Sequence, residues 1–91
     1  MAEVMPWLHE REIAVYSGDC IERMPSGFDR VPMPLHQVGM VAMGLAILDC
    51  AECERLAAAC RGRGRYDFCL VVAPLRIPGG SASAVNPLVL F

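Results

Sequence analysis

The stretch PLHQVGMVAMGLAILD, residues 34–49, is almost wholly apolar, yet it begins beside His36 and closes on Asp49. Leu35 to Met43 reads as a buried helix stopped by Gly44, and Leu45 to Leu48 as a short buried strand or extended piece. Apolar runs of this length do not separate the two states by periodicity alone. The two polar residues pose a choice. Either His36 and Asp49 belong to a metal or acid–base site, or His36 is a satisfied structural residue and Asp49 caps the helix that follows.

That following helix is the clearest element. Asp49 and Glu52 match a capping box with aspartate in place of Ser or Thr. Cys53, Leu56, Ala57 and Cys60 recur at i, i+3, i+4 and i+7, one apolar stripe over Asp49 to Arg61. Gly62 is the expected stop, and Arg61, Arg63 and Arg65 complement the negative helix end. Upstream, Ala2 to Glu10 predicts a short helix with Val4, Trp7 and Leu8 on one side and Pro6 in its first turn. Glu12 to Tyr16 (EIAVY) predicts a strand. Cys20 to Pro34, rich in Pro, Gly and Asp, predicts a long loop of the kind that serves a site or an interface. Downstream, Phe68 to Ile77 (FCLVVAPLRI) predicts a strand with a bulge or unpaired edge at Pro74. A Gly/Ser/Ala loop follows at Gly79 to Ala84, then a final strand, Val85 to Phe91. No internal repeat or linker breaks the chain, so residues 1–91 are expected to form a single α/β domain.

The totals narrow the function. Hydrophobic residues make up 55% of the 91 and charged residues 20%, which is apolar for so short a chain. A small domain has much surface for its volume, so part of this material is expected to face a partner, and a homo-oligomer follows. The net charge of −2 argues against nucleic acid. All eight cations are arginine, which excludes lysine Schiff-base chemistry. MAEVMPWLHERE lacks the basic start and apolar run of a signal peptide. The longest uncharged apolar run, Val38 to Leu48, is about half of a bilayer span. A cytoplasmic protein without a membrane partner is expected. Five cysteines, an odd number, fit free thiols better than a disulfide framework.

Four other motifs carry candidate chemistry. Cys50-Ala51-Glu52-Cys53 is a CxxC at a helix start, but it offers only two of the four ligands of a zinc site and reads as packed or idle thiols. RGRGR, residues 61–65, lacks interleaved aromatics and reads as a solvated turn. GGSASA, residues 79–84, lacks the P-loop spacing and precedes no helix. Ser81 and Ser83 have no histidine base nearby in sequence.

The order WLHEREIAVYSGD, PLHQVGMVAMGLAILD, ECERLAAACRGRGRYDFCLVVAPLRIPGGSASAVNPLVLF resembles, over nearly the whole chain, the C-terminal part of the cyclase-family metal hydrolases, a group that includes kynurenine formamidase and isatin hydrolase. Its most specific portion is the ending, RGRYDF, APLRIPGG and VNPLVLF. The resemblance implies a swivelling β/β/α fold, dimers or tetramers, and hydrolysis of amide or lactam bonds by water activated on zinc or manganese. It implies a catalytic acid/base role for His36. It also implies a metal contact at Asp49, where members usually carry Glu and sometimes Gln. The final loop departs from the pattern, with GGSASAVNP in place of GGTGSPVNP. The principal metal motif, His-x-x-x-His-x-Asp, has no counterpart here, and two histidines cannot supply it. A catalytic metal needs about three protein ligands and an open position.

The expectation is therefore a truncated swivelling β/β/α-type domain: a small sheet of about three strands, one strong helix and one or two weaker ones. Its function would be that of a non-catalytic, self-associating remnant that binds or builds, assembled through strand edges or the stretch 35–48. The alternative is half of a split hydrolase, supplying His36 and Asp49 to a complementary chain. A weaker third possibility is a hydrolase drawing ligands from several subunits. The isolated chain would hold no cofactor, and zinc or manganese only once a partner completed the site.

Overall fold

The computed structural model describes residues 2–91 as a small mixed α/β protein with two small two-stranded sheets. The chain divides into two compact units, residues up to Cys53 and Glu54–Phe91.

In the first unit a 3-10 turn (Ala2–Val4) leads into α1 (Met5–Glu10), with Pro6 in the first turn, where its missing N–H costs nothing. Met5 and Leu8 are buried, whereas Trp7 points outward with the Arg11 guanidinium 4.3 Å from its ring centroid. The inward face is thus Met5–Leu8 rather than Trp7–Leu8. The exit from α1 explains why the next strand starts later than Glu12. Glu12 takes φ +51, and the N–H of Ile13 donates to the Leu8 carbonyl at 3.1 Å, closing the helix as glycine commonly does. Ile13 then packs against the core, and β1 is Val15–Ser17.

The stretch 34–49 forms a helical turn of π type at Leu35–Met40, then α2 (Val41–Met43). Gly44 ends it at φ +71, a conformation that costs other residues about 1 kcal/mol or more. Strand β2 (Ala46–Leu48) pairs in parallel with β1, Val15 opposite Ala46 and Ser17 opposite Leu48. The core consists of Met5, Leu8, Leu35 and Leu45, with Val4, Tyr16, Val38, Met43 and Ile47 around it. A methyl group added at Gly39 would lie 3.1 Å from Leu45 Cδ2 and 3.7 Å from Leu35 Cδ1. Bare backbone there lets both leucines close on the helix.

The second unit starts with α3, Glu54–Arg63, not Asp49 to Arg61. It runs through Gly62 and stops at Gly64 (φ +60), where the Arg65 N–H donates to the Cys60 carbonyl at 3.1 Å. Leu56 and Ala57 are half-buried and Cys60 is buried, so most of the predicted stripe faces inward. The long strand expected over residues 68–77 is reduced to β3 (Cys69–Val71), before Pro74, which has no N–H to donate. Strand β4 (Leu88–Leu90) pairs with it antiparallel, Cys69 opposite Leu90 and Val71 opposite Leu88. Four short strands in two sheets thus replace the three expected. Phe68 and Phe91 meet edge to face at 5.8 Å, and the Arg63 guanidinium lies over the Phe91 ring. No helix among the described residues is long and apolar enough to cross a membrane.

Candidate functional site

The helix at residues 35–43 opens on Pro34, which carries no capping side chain. The N–H groups of its first residues therefore need an acceptor from elsewhere. Glu22, in the Cys20 to Pro34 loop, supplies it. Its Oε2 accepts from the Leu35 N–H at 2.8 Å and its Oε1 from the His36 N–H at 2.9 Å. A negative charge in this position also complements the positive helix end. Gln37 adds a second cap, its Oε1 accepting from the Met33 N–H at 3.0 Å.

The same Glu22 Oε1 lies 2.6 Å from His36 Nδ1. On the far side of the ring, Nε2 lies 2.7 Å from Asp49 Oδ2. His36 is therefore held between two carboxylates. When both are ionised they only accept, so both ring nitrogens donate and the imidazolium is the matching form. The environment is graded: the Glu22 side chain is 0% exposed, that of His36 21% and that of Asp49 29%. One carboxylate lies inside the unit and the other faces water.

The titration of the pair follows from this geometry. The hydrogen bond to Glu22 raises the His36 pKa most; burial opposes this, and the bond to Asp49 with both carboxylate charges adds to the rise. For Glu22, burial alone would raise the carboxyl, but the hydrogen bonds from the His36 ring and from the Leu35 and His36 N–H groups, with the imidazolium charge, hold it below its ordinary value.

His36 and Asp49, which the sequence left open as a site pair or as a structural residue and a helix cap, lie in contact. Asp49 is not the predicted cap of α3, which starts five residues later. It sits in the turn after β2, which Cys50 passes at φ +53 and which the Ala51 N–H ties to the Gly18 carbonyl at 2.8 Å. Glu22 was missed. The signal for it was indirect: PMPLHQ opens a helix with no Ser, Thr, Asp or Asn before it, which implies a distant acceptor.

Zinc or manganese does not fit these residues alone. Two donors, His36 Nε2 and Asp49, fall short of about three, and Nδ1 already faces Glu22. Among the described residues no group of three or more His, Cys, Asp or Glu side chains could hold a metal ion. Cys50 and Cys53 precede α3 as free thiols. Within the RGRGR segment, Arg65 is committed to Asp67, donating from Nε at 3.1 Å and Nη2 at 2.9 Å. The Ser83 hydroxyl accepts from the Leu75 N–H and donates to the Ala84 carbonyl, which accounts for it as a loop residue.

Comparison with protein-family models, curated proteins and solved structures found no match.

Proposed function

We propose that the chain is a self-associating binding or structural module, a truncated swivelling β/β/α-type remnant of a cyclase-family hydrolase that does not catalyse hydrolysis by itself. The observation that carries the self-association is the β3–β4 ribbon. Successive strand residues point to opposite faces, so Cys69, Val71, Leu88 and Leu90 share one face. All four are exposed, Leu88 at 54% and Leu90 at 59%. Isolated two-stranded ribbons are marginal in water, and each strand pairs along one edge only. The stretch 35–48 is the lesser candidate surface, because Leu35, Gly39 and Leu45 are already used in the core of the first unit. The test is light scattering at micromolar concentration. The expected particle is at least twice the 9.9 kDa chain mass, and Leu88→Asp should return it to one chain with an unchanged circular dichroism spectrum. A wild-type monomer contradicts self-association; an assembly indifferent to Leu88→Asp contradicts the assigned face.

One observation favours the alternative of a split amide or lactam hydrolase. An imidazole locked by a buried carboxylate is more ordered than a vestigial side chain requires. In that case His36 and Asp49 serve a site completed by a second chain that brings the missing zinc or manganese ligands.

A further inference from the structure

We propose that Glu22 is a positioning residue for His36: it keeps the ring proton on Nδ1 and leaves Nε2, beside Asp49, as the end of the ring that exchanges protons or meets a ligand. The argument rests on the inequality of the two carboxylates. Glu22 is fully buried and three N–H groups converge on its two oxygens, from Leu35, from the His36 backbone and from the His36 ring. Rotating it away would strand a buried backbone donor, the Leu35 N–H, at roughly 1–3 kcal/mol, and a part-buried one, the His36 N–H, at the same helix start. Asp49 is part-exposed and its carboxylate meets Nε2 at the surface, so water can replace that bond at small cost. When the ring holds one proton, it must donate to one carboxylate and present a lone pair to the other. The immobile buried acceptor takes the donor, and the mobile exposed one turns to solvent.

The second nitrogen of a ligating or catalytic histidine is commonly oriented in this way by a carboxylate. Here the orienting group comes from the long loop rather than from the apolar stretch that bears the histidine. The proposal goes beyond the functional assignment above and is independent of assembly, because its readout is the ring nitrogen and not particle mass or turnover.

The test is a ring-nitrogen NMR titration of the full chain, with His36 assigned by comparison with His9→Gln. In wild type, Nδ1 should keep a protonated, pyrrole-type shift at every pH at which the chain is folded. In Glu22→Gln the amide oxygen, in the place of Oε2, can still accept from the Leu35 N–H while the N–H₂, in the place of Oε1, faces the ring. Nδ1 should then become pyridine-type once the ring is neutral, with the proton moved to Nε2. Asp49→Asn, at a part-exposed position, provides a variant that should fold even if Glu22→Gln does not, and Nδ1 should stay pyrrole-type in it. A pyridine-type Nδ1 in folded wild type or in Asp49→Asn overturns the proposal, as does a pyrrole-type Nδ1 in neutral-ring Glu22→Gln. A Glu22 that merely caps the helix would leave the tautomer indifferent to the Gln substitution.

Discussion

Glu22→Ala should lower the unfolding free energy by about 3 kcal/mol, read as a drop in the urea midpoint at constant slope. The substitution removes the acceptor of two helix-start N–H groups and the buried partner of a part-buried ion pair in a single step. Each stranded donor has its own cost, and His36 keeps only its surface bond to Asp49. Folded domains are stable by about 5–15 kcal/mol, so the loss is a large share. The pH dependence identifies the cause. His36 is raised above its ordinary value of 6.5, so its contribution is complete below about 6.5 and is lost as pH rises through the folded-state value. Glu22 is lowered below 4.5, so its contribution is complete above about 4.5 and is lost as pH falls through the folded-state value. Wild type should therefore be most stable between about pH 4.5 and 6.5 and weaken on both sides, whereas Glu22→Ala should show a flatter profile. A midpoint within experimental error of wild type at pH 5.5 would remove Glu22 from any structural role.

Leu35→Ala should cost about 4 kcal/mol, toward the upper end of the range for buried leucines. Leu35 is 0% exposed and packs with Met5, Leu8 and Leu45. The usual relief, inward movement of neighbours, is restricted here. The adjacent helix position is Gly39, which has no side chain to move into the space. Val41, on the same helix and 79% exposed, serves as the control, and Val41→Ala should change stability by less than about 0.5 kcal/mol. A small loss for Leu35→Ala would mean that the first unit is loosely packed. Comparable losses for both variants would place Val41 in an assembly interface.

The difference between those two positions, six residues apart, marks what could be read from the chain. The helix at residues 35–43 and its stop at Gly44 match the reading of the apolar run, in which Gly44 is the local stop signal, although periodicity alone does not separate helix from strand there. The helix face at Leu56, Ala57 and Cys60 follows from periodicity in the same way. The errors arose where a distant partner outcompeted a local preference. Asp49 has the side chain of a helix cap, but the ring of His36 lies 13 residues away in sequence and 2.7 Å away in space. Glu22 is an acidic residue in a loop rich in Pro and Gly, where exposure is the default, and only the uncapped start of the next helix marks it out. The strand at residues 68–77 stops at Val71 because Pro74 cannot join a ladder and only β4 pairs with it. The strand predicted from Glu12 starts late because α1 uses Glu12 and Ile13 for its own closure.

The account depends most on the claim that this polypeptide by itself does not activate water on a metal. The direct measurement is the zinc and manganese content of purified, tag-free chain, taken together with turnover of an N-formyl amide and a lactam by the same sample. The account predicts well under one ion per chain and no turnover above buffer. One firmly held ion per chain with hydrolysis that His36→Ala abolishes would contradict it.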